Sequence, residues 1–246
     1  VRLSQKLEAI DQNVFAEVER KLLCDDLAPA AVRRLLAPYT DYRPAQAGEE
    51  HIGRDGLDVL LDGVLLKDPI PSEGAKSTAE IVHYEAAPAR LVLDLVDRLE
   101  LCGADVFYDL GSGLGRIVLL FHLITGIPAR GIESDPALCG YARRLAAGLN
   151  LAQVAFANVD ARNARLEKGT VFFMFTPFVG QILQQVMERL QNVARRHPLK
   201  VATFGPCTPQ VARQPWLVSL DRNANYEFRL ALFQSDCGGA DRGRIE

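Results

Sequence analysis

Apolar residues at helical spacing open the chain. Leu3, Leu7, Ile10, Val14, Val18 and Leu22 recur every three or four positions, which predicts an amphipathic helix over residues 3–27. A shorter helix is predicted over 30–37, ending near Pro38. Residues 38–57 are rich in Pro, Gly and charge and read as loop. The stretch "GLDVLLDGVLL" (56–66) is a brief ordered element that fits either a helix or a strand, and "KDPIPSEGAKST" returns to loop. Residues 1–80 therefore read as a small helical appendage with a linker.

From residue 88 the pattern alternates. "PARLVLDLVDRLEL" opens with Pro88, a residue favoured in the first helical turn, and sets Leu91, Leu95 and Leu99 on one face. "ADVFYDL" predicts a strand, and a helix follows Gly115 to about Thr125. "ARGIES" (129–134) is a second strand, with a helix opened by Pro136 behind it, and "QVAFANVD" (153–160) is a third. "TVFFMFT" (170–176) is an unbroken apolar run, as a strand buried on both faces should be. A long helix then directs Phe178, Ile182, Val186, Leu190 and Val193 inward, before the strand "LKVATFGP" (199–206). "WLVSL" and "YEFRLALFQS" are two strands with no room for a crossover helix between them, so they pair antiparallel. The predicted fold of residues 81–240 is α/β: a doubly wound, mostly parallel seven-stranded sheet with an antiparallel last strand.

The chemistry concentrates in "FYDLGSGLGRIVLLF" (107–121), where a strand meets a helix through Gly111, Gly113 and Gly115. A glycine turn at the carboxyl end of a parallel strand is where an α/β sheet receives a ligand. The dinucleotide fingerprint G-x-G-x-x-G is not met, since the third glycine comes one residue early. A P-loop is excluded because no Gly-Lys-Ser/Thr follows. Asp109, just ahead of the glycines, would repel a phosphate and attract a cation. An acid beside such a turn suits a ligand with an amino group and a positive sulfur, and S-adenosylmethionine has both. Glu133, closing the second strand, can accept from two vicinal ribose hydroxyls. Asp160, closing the third, is placed to accept from the adenine amine. Ser112 in the loop and Ala161 after Asp160 complete the expected cofactor contacts.

Composition narrows the partners. The formal charge of −3 and pI near 5.9 give no electrostatic case for nucleic acid or an anionic membrane. Cys24, Cys102, Cys139, Cys207 and Cys237 are scattered, without a C-x-x-C pair or histidines at ligand spacing, so no metal is expected. Dispersed thiols suit a reducing compartment, and no apolar run approaches the ~20 residues of a membrane span. The expectation is a soluble cytoplasmic protein. The chain begins at Val1 without a methionine, which leaves open whether native residues precede it.

"DLGSGLGR", "GIESD" and the antiparallel ending resemble a class I S-adenosylmethionine-dependent methyltransferase over about residues 78–235. A narrower likeness lies in "HYEAAPARLVLDLVDRLELCGADVFYDLGSGLGRIVLLF", which resembles the non-SET histone-lysine methyltransferases and their bacterial and mitochondrial relatives. That resemblance implies that the loop bearing Tyr84 folds over the methionine end of the cofactor. The Thr or Ser usual before the following helix is replaced here by Ala86 and Ala87, so a hydroxyl and an N-cap are missing. Many amine methyltransferases carry Asn or Asp, two prolines and an aromatic after the fourth strand. This chain has Phe175, Thr176, Pro177 and Phe178. Those four residues are the expected substrate contacts. Thr176 with Pro177 equally reads as a helix cap followed by a first-turn proline.

Direct methyl displacement requires no obligatory catalytic side chain. Tyr84, Glu85 and Thr176 are the candidates nearest the mouth. His83 reads as a loop residue, His122 as a packing residue, and His51 and His197 as loop residues. The expected acceptor is an amine such as a protein lysine. The alternatives are a small-molecule acceptor, an aminopropyl transferase, and a non-enzymatic binding protein of the same fold.

Overall fold

A computed structural model describes residues 2–23, 27–43, 53–71, 80–81, 85–221 and 226–236. Three helices come first: α1 (Arg2–Leu22), α2 (Pro29–Leu36) and α3 (Gly56–Leu65). Residues 56–66, readable either way from sequence, are helical. The cause is a capping box at the start of α3: the Asp55 carboxylate accepts from the Leu57 amide at 3.0 Å, and Asp58 accepts from the Asp55 amide at 3.1 Å. The apolar stripe of α1 is only partly covered, with Val18 and Leu22 buried but Ile10 57% exposed.

Helix α4 (Arg90–Arg98) begins two residues after Pro88, so the proline precedes the helix, and Leu91, Leu95 and Leu99 are all buried. Then come β1 (Phe107–Leu110), α5 (Arg116–Thr125), β2 (Ala129–Glu133), α6 (Pro136–Gly148), β3 (Val154–Asn158), β4 (Val171–Phe175), α7 (Gly180–Ala194) and β5 (Lys200–Phe204). A short helix that the sequence pattern did not signal, α8 (Thr208–Ala212), leads to β6 (Leu217–Ser219) and β7 (Ala231–Ser235).

The seven strands form one sheet in the order β3-β2-β1-β4-β5-β7-β6. Neighbours from β3 to β5 pair in parallel, as in Phe107↔Ala129 and Phe107↔Val171. Strand β7 lies antiparallel between β5 and β6, which makes it the reversed strand that the sequence predicted. Crossing from β1 to β4 reverses the order of winding and opens the crevice at the carboxyl ends of β1, β2 and β4.

Side chains alternate across this sheet. Phe107, Val171 and Phe173 join one apolar cluster with α4, α5 and the N-terminal helices. Tyr108, Leu110, Phe172 and Met174 join another with α7. Phe107 stacks on Phe121 of α5, ring centroids 3.9 Å apart. Helix α2 packs on α5 and α1 on α3, so the N-terminal helices share the core of the sheet's α5 face. Among the described residues no helix is long and apolar enough to cross a membrane.

Candidate functional site

Strand β1 delivers Asp109 to the carboxyl end of the sheet and hands the chain to the glycine turn. Gly111, Gly113 and Gly115 have φ of +86°, +50° and +80°, a left-handed backbone that other residues adopt only under strain. Gly111 and Ser112 both donate their amides to the Ile132 carbonyl, at 2.8 and 3.0 Å. A Cβ on Gly115 would lie 2.5 Å from the Phe156 ring and 2.9 Å from the Ala142 Cβ, and one on Gly111 would collide with Pro177. These glycines therefore serve the turn and its packing as well as any ligand approach.

Glu133 ends β2 and faces the turn. Its Oε2 accepts from the Gly113 amide and its Oε1 from the Asp135 amide, both at 2.8 Å. Oε1 also accepts from the Ser134 hydroxyl at 3.4 Å, and Oε2 keeps a further lone pair. Burial pushes its pKa up, opposed by these two amides. Asp109, on the adjacent strand, is 3% exposed and receives no hydrogen bond from the described residues. Burial first, and the charge of Glu133 second, push its pKa to about 8. The Ser112 hydroxyl is also buried, with no hydrogen-bond partner among the described residues. A buried carboxyl that meets no cation among the described residues fits a cationic ligand group such as the ammonium of S-adenosylmethionine.

Asp160 follows β3 and caps a 3-10 turn, Ala161–Asn163. Its carboxylate is held in a fork by Arg162, with Nη2 to Oδ2 at 2.7 Å, and also accepts from the Arg162 amide. That hydrogen-bonded partner holds its pKa below the usual carboxylate range. Sequence alone gave no sign that an arginine engages this acid. Ala161 is buried beside it.

After β4, Phe175 stacks on Phe204 with ring centroids 5.3 Å apart. Thr176 takes a left-handed φ of +40°, which is rare for a β-branched residue and marks local strain. Its hydroxyl donates to the Phe204 carbonyl at 2.7 Å. The cap reading fails, because α7 starts only at Gly180 and Thr176 caps nothing there. Phe178 lies ahead of the helix yet is buried, as its inward placement requires. The first turn of α7 is closed by Glu80, whose carboxylate accepts from the Gln181 and Ile182 amides at 2.9 and 3.4 Å. Val179 donates to the Glu80 carbonyl, and Ile81 bridges to Phe178. Glu80 and Ile81 are thus fixed beside residues 178–182. Tyr84 and His83 lie outside the described residues, and Glu85 is exposed.

The remaining histidines gather nowhere near these acids in bonding. His122 Nδ1 bonds with the Ile127 carbonyl and His197 with the Glu167 carbonyl, while His51 lies outside the described residues. Among the described residues Cys102, Cys139 and Cys207 are free, and no group of His, Cys, Asp or Glu is placed to hold a metal.

The family described as "Histone methylation protein DOT1" matches residues 75–197, half of the chain. That span holds the Tyr84 segment, the glycine turn, Glu133, Asp160 and the 175–178 stretch. No curated protein matches the sequence. Among solved structures, an RNA methyltransferase from Salinibacter ruber in complex with S-adenosyl-L-homocysteine is 22% identical, covering 66% of this chain and 99% of that one, at a TM-score of 0.46. A SAM-dependent methyltransferase from Thiobacillus denitrificans, also with S-adenosyl-L-homocysteine, is 25% identical over 53% and 54% of the two chains, at 0.41. Magnesium protoporphyrin IX methyltransferase from Synechocystis is 16% identical over 60% and 77%, at 0.46.

Proposed function

The chain belongs to the DOT1 histone methylation family, and we propose on that premise that its methyl acceptor is an amine, specifically the side-chain amine of a protein lysine. It is an S-adenosylmethionine-dependent methyltransferase. When bound, that cofactor supplies a methyl group activated by a sulfonium.

Asp109 is the observation that carries the reading of the site. Among the described residues its buried carboxyl meets no countercharge, and the ammonium of the cofactor's methionine end is a group of the right sign. Glu133, aimed by the Gly113 amide, offers the free lone pair of Oε2 to a ribose hydroxyl, and Oε1 can take the second in place of the long Ser134 contact. Asp160 and Ala161 border the adenine end, with Arg162 holding the Asp160 carboxylate in place. In this reading residues 81–240 carry the transfer and residues 1–80 flank it.

At the acceptor end, Glu80 and Ile81 are held against residues 178–182, and the family resemblance assigns the Tyr84 segment that follows them in sequence to the acceptor. Phe175, Pro177 and Phe178 supply apolar surface at the acceptor end, and the family resemblance assigns Tyr84 the same duty of stripping water from a long alkyl amine. Desolvation lowers the amine's pKa and so favours the neutral nucleophile. The Thr176 hydroxyl, which donates to Phe204, keeps its oxygen lone pairs for the acceptor N–H. Glu85, exposed, is free of the packed interior and can pass the released proton to water. Positioning supplies the rest of the rate.

The experiment offers labelled S-adenosylmethionine separately to lysate proteins, extracted small molecules and RNA. Label in the protein fraction is expected. Label confined to small molecules or RNA would overturn the lysine assignment.

A further inference from the structure

We propose that Asp58, on α3, is a positioning residue that holds together the two chain segments flanking the cofactor site; the proposal rests on the reading of that site given above. Asp58 is fully buried. Its Oδ1 accepts from the Ala89 amide and from Arg116 Nη2, each at 3.0 Å, and its Oδ2 accepts from the Asp55 amide at 3.1 Å. Arg116 is 3% exposed, and its Nε lies 3.0 Å from Asp62 Oδ1. Arg54 lies 3.8 Å from Asp58 on the solvent side.

Both partners occupy telling places. Ala89 is the N-cap of α4 and closes the stretch 85–88 that follows Tyr84. Arg116 is the first residue of α5 and follows Gly115 directly. The glycine turn is held at its start by the Gly111 and Ser112 amides on the Ile132 carbonyl, in its middle by the Gly113–Glu133 hydrogen bond and the buried Leu114, and at its end by the Arg116–Asp58 pair. Asp58 sets the tether at the end of the turn and the Ala89 amide with the same oxygen, so the acceptor-side segment and the cofactor turn share one anchor. An acid at the third position of a capping box needs no arginine and is ordinarily exposed. Burying a charge pair is a poor route to stability, whereas its strict geometry is well suited to fixing register.

The test uses the full chain, titrated calorimetrically with S-adenosylhomocysteine and followed by thermal melting and amide hydrogen exchange. Asp58→Asn keeps the shape and an acceptor oxygen but removes the charge. It is expected to raise Kd about tenfold or more, and to speed exchange over residues 85–93 and 112–120 together. Leu65→Ala, at the far end of α3 and away from both partners, is expected to lower the melting temperature while keeping Kd within about twofold of wild type. A twofold or smaller change in Asp58→Asn would overturn the proposal, as would an equal rise in Leu65→Ala, which would mean general loosening. If Asp58→Asn does not fold, Arg116→Lys decides by the same criteria, since it keeps the charge and loses the fork. Failure of the wild type to bind would sink the cofactor site instead. The exchange experiment then judges the anchor alone, and acceleration in only one of the two segments refutes it.

Discussion

The Asp109 carboxyl makes a prediction with a definite sign. Unfolded, it ionises at the ordinary 3.8; folded and without ligand, burial and Glu133 push it to about 8. Between those values the folded chain holds a proton that the unfolded chain has released, so stability falls as pH rises through this window. Above pH 8 the whole difference applies, on the order of 5 kcal/mol at about 1.4 kcal/mol per pH unit, an upper figure because water entering an opened site reduces it. A bound ammonium reverses the balance. It favours the carboxylate, so binding below pH 8 expels a proton and apparent affinity rises with pH by up to about tenfold per unit.

The perturbation is Asp109→Asn, which cannot ionise. Ligand-free, this variant should lose the wild type's decline in stability between pH 5 and 8, measured by urea unfolding. With S-adenosylhomocysteine it should bind more weakly and release no proton. The assay is calorimetry from pH 5.5 to 7, below the titration of the ligand's own amine near 8, in buffers of differing ionisation enthalpy. Wild type is expected to release close to one proton. A pH-independent affinity without proton release in the wild type, or undiminished binding by Asp109→Asn, would refute the pairing of Asp109 with a cation.

Three further substitutions separate turn, cap and strain. Gly115→Ala forces a Cβ into Phe156 and Ala142 at a φ of +80°, and should cost about 2–4 kcal/mol in chemical unfolding. Glu80→Ala uncaps α7 and should cost about 1 kcal/mol, while lowering methyl transfer more than cofactor affinity if the stretch after β4 receives the acceptor as proposed; equal losses in both would point away from the acceptor end. Thr176→Val keeps the left-handed strain and leaves the Phe204 carbonyl with only the weak Cys207 thiol contact at 3.7 Å, so a loss of about 1–2 kcal/mol is expected, read from the midpoint of denaturation.

Legibility in the sequence followed the range of the interactions. Helix α5 begins and ends where its flanking glycines predict because Gly115 and Gly126 both take left-handed φ, a local requirement. The strands of the parallel core stood out through unbroken apolar runs such as Phe172 and Phe173, buried whichever face they take. Periodicity marked the stripe of α1 but could not show how far the body extends beneath it, which is why Ile10 lies in solvent. The capping pair Asp55 and Asp58 was a readable signal that 56–66 is helical, whereas the second duty of Asp58, toward Arg116, is 58 residues distant and left no local trace. Glu80 capping a helix 101 residues away, and the strain at Thr176, arise in the same manner from tertiary contact. The placement of Asp109 and Glu133 at the carboxyl end of the sheet was legible because strand ends are predictable places. The grip of Arg162 on Asp160 was missed, although the two are only two residues apart, because nothing in their spacing distinguishes it from an ordinary turn.

The central claim is methyl transfer to a protein lysine, and amino-acid analysis of the labelled product tests it most directly. Lysate protein incubated with the chain and methyl-labelled S-adenosylmethionine would be acid-hydrolysed and its labelled amino acids separated. The account predicts label in mono-, di- or trimethyllysine, present with wild type and sharply reduced with Asp109→Asn. Label in methylated arginine or in base-labile carboxyl esters, or incorporation unchanged by Asp109→Asn, would contradict it.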